Sequence, residues 1–386
     1  MATVSQFKPV LEPSHINEAK ARRATPRQQA VCFDKYVSTS CTRSLYTRMR
    51  SACCTTIVGL CSLHLAEAHV AAAPPAYQLV GSFGVPNSIF DVGPDGRIYT
   101  VVGDAIMRQD SVNGSSYTQV ASLPSGLVGS FGASFIRFSP DGHKFAIGDG
   151  NFTTTASVHV IDADPLNSSV MSSAPAVVTA SAITPNFDAA WDANSRLFIT
   201  GARSTDFMPI VNRLDLPATP GGPTSVTTVL TNIGLGSGGI AINSGRVFTG
   251  CGFLPTGEIR SFHVAALSGP TSVPFSTGAL FGSVLSAYPL AFDEVGSLLV
   301  GGGDSFSGTS EYGYAAILDP TDPSNPLRLS PAGPDALYGV AFNRTTHELL
   351  VYNTLNNLIH RYAIPSASAS ALLLIGAVVT TRRRRA

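Results

Sequence analysis

Apolar and polar residues alternate along this chain in short bursts, without the three-to-four spacing of an amphipathic helix. One unit recurs: an apolar run, a tight polar turn, then a second apolar run. It reads Ile89-Phe90-Asp91-Val92, Pro94-Asp95-Gly96, Ile98-Tyr99-Thr100-Val101, and again Ile136-Arg137-Phe138, Pro140-Asp141-Gly142, Phe145-Ala146-Ile147. Four further copies end their first run at Trp191, Ile242, Phe292 and Phe342, so that counting from Val92 the steps are 46, 53, 51, 50 and 50 residues. Propeller blades repeat at about this period. Asp and Asn in the turns bond their own backbone and Gly accepts a positive φ, so each turn closes a hairpin between two buried strands.

A third run follows in each copy, as at 158–162, 211–215, 259–262, 316–319 and 358–362, and a weaker fourth follows in most, as at 177–179 and 226–230. Four strands per repeat make a propeller blade. The pattern predicts an all-β fold, a β-propeller of six four-stranded blades, with seven blades as the alternative if one is degenerate. The sixth copy lacks a fourth strand, and residues 77–80 ahead of the first copy can supply it. Pairing the two ends of the chain in one blade removes open sheet edges.

Composition agrees with a turn-rich β protein: 13% of residues are charged, with 36 Gly and 26 Pro. The formal net charge of zero hides a partition. Residues 74–363 hold 21 acids against 12 Lys and Arg, so the repeat region is acidic. An acidic domain repels phosphate backbones, and no nucleic-acid partner is expected. Cys32, Cys41, Cys53, Cys54 and Cys61 precede the repeats and Cys251 alone lies within them, so no internal disulfide is available there. A monomer standing on its own core is expected.

The two ends carry address signals. Met49-Arg50 opens a mostly apolar stretch with Ile57, Val58, Leu60, Leu63 and Leu65, and Val70-Ala71-Ala72 offers small residues at the exit. Residues 49–73 therefore read as a secretory signal peptide, and 1–48 as a basic leader or sequence upstream of the true start. The other end, 364–386, holds Pro365, an apolar run at 371–379 and the cluster Arg382, Arg383, Arg384, Arg385. The apolar run is short for a span, which needs about 20 residues, and the arginines hold the extreme end in the cytoplasm.

These last residues resemble the PEP-CTERM sorting signal, which combines a Pro-containing motif, a short apolar helix and a terminal Arg cluster. The resemblance implies an exosortase-like processing enzyme as partner, a transient membrane anchor through the tail, and display at a bacterial cell surface or release outside the cell. The repeats at 77–363 resemble NHL- and YVTN-type propellers, a likeness specific for architecture, since propellers host enzymes, scaffolds and lectins alike.

Candidate chemistry is sparse. The exits of the second runs carry Asp104, Asp149 and Asp304, with Asn353 in the sixth copy; Arg203 and Gly252 interrupt the series. Converging carboxylates can hold Ca²⁺, which takes six to eight oxygen ligands, while Asp after Gly also simply caps a turn. His143, His159, His263, His347 and His360 show no metal spacing, no Gly-x-Ser-x-Gly elbow is present, and Gly234-Leu235-Gly236-Ser237-Gly238-Gly239 lacks the Lys and helix of a phosphate loop. A calcium-dependent, lactonase-like hydrolase needs Asp, Asn and Glu along the axis; the innermost runs offer Asp91 and Asn186 or Asp188 but no Glu. The expectation is an exported, non-catalytic binding or structural protein without cofactor, whose partners are extracellular polysaccharide or surface proteins, with the metal-dependent propeller hydrolase as the alternative.

Overall fold

A computed structural model describes residues 77–364, apart from 130–131, 152–156, 168–176, 182–184, 204, 218–223, 235–236, 252–256, 285–286, 303–314 and 330–336. The leader, the signal at 49–73 and the tail with Pro365 and Arg382, Arg383, Arg384 and Arg385 lie outside the described residues, as does Asp304. Among the described residues no helix is long and apolar enough to cross a membrane.

The structure is a six-bladed β-propeller. Each blade is an antiparallel sheet in which successive strands step outward from the axis. The inner strands are Phe90–Val92, Ala133–Phe138, Asn186–Trp191, Ser237–Asn243, Leu290–Phe292 and Leu337–Asn343. Each touches the next, and the last touches the first, which closes the ring. A short insertion in blade 4 lays Val273–Pro274 parallel to Leu230 and Thr231, adding a fifth strand to blade 3.

Blade 6 unites the two ends of the propeller. Its inner three strands come from 337–363 and its outer strand is Gln78–Gly84, paired from Gln78↔Ala363 to Gly84↔Leu358. The outer strand was expected from residues 77–80 and extends further, to Gly84. Blades 6 and 1 also lock through their turns. Asn343 Nδ2 donates to the Gly96 carbonyl at 2.8 Å. Gly96 has φ +77°, and a Cβ there would sit 2.6 Å from the Thr345 side chain. Both backbone conformation and space therefore require glycine at that turn.

Burial follows the strand period. The residue two before the end of each inner strand's triplet (Phe90, Ile136, Ala189, Ile240, Leu290 and Val340) is buried and each enters a different one of six apolar clusters, one per blade interface. The first joins blades 1 and 2 through Tyr99, Ile106, Ile136 and Phe145; the last joins blades 6 and 1 through Phe83, Phe90, Ile98, Leu350 and Tyr352. With charged side chains rare and each interface filled by apolar ones, burial stabilises the ring by about 1.5–3 kcal/mol for each large side chain fully removed from water.

Candidate functional site

The ring leaves a cavity of about 440 Å³ on its axis. It opens on the face formed by the turns between inner and second strands, where Pro94, Pro140, Arg344 and Thr345 stand. The residue just before the end of each inner triplet lines the wall: Asp91, Arg137, Ala190, Ala241, Ala291 and Ala341. Two adjacent blades thus place charge on the axis, and four place a methyl group.

The charges form one connected set. Arg137 donates from Nη2 to Asp188 Oδ1 at 2.5 Å, from Nε to the Ala189 carbonyl at 3.1 Å and from Nη1 to the Ile136 carbonyl at 2.9 Å. Asp91 accepts the Val92 amide at 2.9 Å on one oxygen and the Phe138 amide of the next blade at 2.7 Å on the other. Asp188 accepts the amides of Ala189 at 2.8 Å and of Ile240, in blade 4, at 3.2 Å. Trp191 Nε1 donates to the Arg137 carbonyl at 3.1 Å. Inner strands of adjacent blades do not share a ladder, so their axis-side edges need other partners; in blades 1 to 4 these side chains supply them. Among the described residues no side chain bonds to Ala241, Ala291 or Ala341 in this way.

Burial dominates the electrostatics. It pushes the Asp91 carboxyl above its ordinary range, and Arg137 only partly offsets this; the same holds for Asp188. Burial also works against the Arg137 charge, but Asp188 and then Asp91 outweigh it, so Arg137 holds its proton more firmly than usual. Asp91 faces the cavity yet is walled by protein on its other sides, which is why a residue with some solvent contact is still poorly hydrated.

Asp188 stands two positions before the wall residue Ala190 in a regularly paired stretch, and the strand period of two puts both on one side. The register of its strand slips between Asn186 and Asp188, and a bulge of this kind re-aims side chains. Asn186, on the other side of the slip, hydrogen-bonds Ser134 and points its amide toward the Ser157 carbonyl at 3.4 Å. The sequence reading had Asp91 and Asp188 near the axis but missed Arg137. Its signal was available: a cation at the wall position, where four of the six copies carry Ala.

The acids at the second-strand exits lie on the opposite face. Asp149 Oδ1 accepts the amides of Gly129 at 3.0 Å and Asn151 at 3.1 Å. Asn353 Oδ1 accepts the Leu355 amide at 2.9 Å. Asp104 contributes its main-chain carbonyl, which accepts the Leu123 amide at 2.7 Å. The contacts to Asn151 and Leu355 close local turns and those to Gly129 and Leu123 tie neighbouring loops of one blade, and among the described residues no group of three His, Cys, Asp or Glu side chains could hold a metal ion. The axial set does not suit calcium either. The ion needs six to eight oxygens, and here a guanidinium sits against the carboxylates. His143 pairs with Asp164 at 2.8 Å and His347 with Glu294 at 2.7 Å, both exposed and in separate places.

No family model matches the sequence, and no curated protein matches it. Among solved structures, the PQQ-bound aldose sugar dehydrogenase from Streptomyces coelicolor is similar with a TM-score of 0.55 and 16% identity, over 75% of this chain and 99% of that one. Luciferin-regenerating enzyme has a TM-score of 0.46 and 13% identity over 75% and 94% of the two chains. A nidogen/laminin complex has the same score and identity over 70% and 93%. At such identities the likeness is one of fold.

Proposed function

We propose that this chain is an exported, cell-surface binding protein whose propeller presents its axial cavity to a ligand and performs no covalent chemistry. The signal at 49–73 sends it out. The tail at 364–386 anchors it until an exosortase-like enzyme acts near Pro365, with Arg382, Arg383, Arg384 and Arg385 held on the cytoplasmic side.

One observation carries this reading. The last strand, Leu358–Ala363, ends beside Glu348, directly after the turn at the cavity mouth, and Gln78 of the first strand pairs with Ala363. Both ends of the propeller therefore leave on the face where the cavity opens. Seven residues lie between Ala363 and Ala371, a tether of eight steps and at most roughly 28 Å at about 3.5 Å per residue. A tail inserted in a bilayer holds the mouth over the membrane surface, and cleavage near Pro365 frees it. The charged set supports binding over hydrolysis: Arg137, Asp91 and Asp188 all bond to backbone of the ring, and none is paired with a nucleophile.

Mass spectrometry of the external protein tests the address. The expected chain begins near Ala73 or Pro74 and ends near Pro365. Replacing all four arginines with serine should release uncleaved protein. External wild-type material that still carries Arg382, Arg383, Arg384 and Arg385 would overturn the sorting mechanism.

A further inference from the structure

We propose that the axial cavity binds a neutral, hydroxyl-rich molecule, a small polyol or the end of a sugar chain, between the side chains of Asp91 and Arg137 and the alanine-lined rest of the wall. This rests on the binding-protein reading above and names its ligand class.

Charge selects neutrality. Asp91, Asp188 and Arg137 together hold one more negative than positive charge when all are ionised. A carboxylate or phosphate meets that excess in a poorly hydrated space, where like charges disfavour each other strongly. A cation meets the Arg137 guanidinium, and exposed Arg344 stands at the rim. Arg137 is taken by Asp188 and each Asp91 oxygen by a main-chain amide, so neither sign of ligand finds a bare counter-charge.

Hydrogen-bonding capacity selects hydroxyls. Arg137 has five N–H donors, of which three are used within the protein, and its side chain is 18% exposed. Each Asp91 oxygen accepts one amide and keeps further acceptor capacity. Donor and acceptor therefore stand side by side on one wall. The rest of the wall is lined by the methyl groups of Ala190, Ala241, Ala291 and Ala341. A hydroxyl both donates and accepts, so one such group can serve Asp91 and Arg137 together without leaving a buried group unpaired.

Shape supplies the remainder. Protein interiors fill to crystal-like density, yet alanine stands at four of the six wall positions and leaves about 440 Å³ empty, within the usual range of small-molecule sites at about 300–1,000 Å³. Phe138, Trp191 and Phe342 border the cavity at its mouth and are packed into the apolar clusters between blades, which fixes the shape of the opening.

Trp191 is the only tryptophan, so emission from the full-length chain in mild detergent reports on this cavity alone. The probes are a panel of neutral mono- and disaccharides and mannitol, set against glucuronate and glucosamine, with saturation-transfer NMR on the same samples as a second readout. The expected result is saturable binding of neutral probes, at least tenfold weaker binding of the charged ones, and loss of binding in Ala291→Leu and Ala190→Leu variants whose melting temperature is unchanged. Tighter binding of either charged sugar, binding that survives both filled cavities, or no response to any probe in either readout overturns the proposal. Correctly processed external protein that ignores every probe leaves surface display standing and removes this ligand class. Protein that binds neutral sugars but keeps its tail does the reverse.

Discussion

Two halves of the axial ring solve one problem in different ways. In blades 1 to 3 the wall carries Asp91 and Arg137, with Asp188 behind them, and these side chains take up strand-edge groups at Phe138, Ile240, Ala189 and Ile136. In blades 4 to 6 it carries Ala241, Ala291 and Ala341, and among the described residues only the Ile240 amide of these strands is taken up by such a side chain. The charged half is a rigid, crowded wall held by side-chain bonds between blades, and the alanine half is where the space is. A propeller needs neither solution throughout, because the apolar clusters at all six interfaces hold the blades whatever the axis contains. Asymmetry on the axis is therefore free to serve a ligand.

Removing the cation should break the charged half most severely. Arg137→Met leaves Asp188, whose side chain is 3% exposed, and Asp91 as uncompensated buried acids. The expected loss is about 3–5 kcal/mol in urea unfolding at neutral pH, and part of it should return as the pH falls and the carboxyls take up protons. An unchanged midpoint would mean that the set is solvated by the cavity and contributes no electrostatic stability.

Giving the alanine half a charge sharpens the contrast. Ala341 is 6% exposed, and its blade adjoins that of Asp91. Ala341→Asp sets two acids side by side and should cost about 1–3 kcal/mol, whereas Ala341→Lys, facing Asp91, should cost clearly less. Equal losses in thermal unfolding would point to crowding of the wall rather than charge.

The smallest effect tests the carboxyl itself. Asp91→Asn keeps the shape, but its NH₂ must face one of the two amides that Asp91 accepts, at a cost of about 1–2 kcal/mol. Because burial raises the Asp91 pKa above its ordinary 3.8, the folded protein holds that proton more tightly than the unfolded chain does. The associated stability is fully present below 3.8 and is lost as pH rises through the folded value. The gap in melting temperature between wild type and variant should therefore be widest at the acid end and narrow toward pH 8. A gap that widens with pH would reverse the direction of the shift.

What was legible in the residues alone was whatever rests on local chemistry. The period-two runs, the Asp–Gly turns and the repeat near 50 residues mark each hairpin, because a turn closes on its own side chains: Asp192 on Asn194 and Arg196, Asp293 on Val295 and Ser297. The missing strand of blade 6 followed from the cost of an open edge. Three things came only from the closed ring. Asp104, Asp149 and Asn353 hold equivalent places in the repeat, but Asp149 and Asn353 turn their oxygens onto loop amides of their own surroundings and Asp104 engages through its carbonyl. Arg137 stands 51 positions before Asp188, and they meet because one blade's rotation carries the next inner strand alongside, with Asp188 on the same side as the wall residue Ala190. The cavity exists because six wall positions converge, four of them alanine. A single strand shows whether a residue points in or out; only the rotation between blades decides what it meets there.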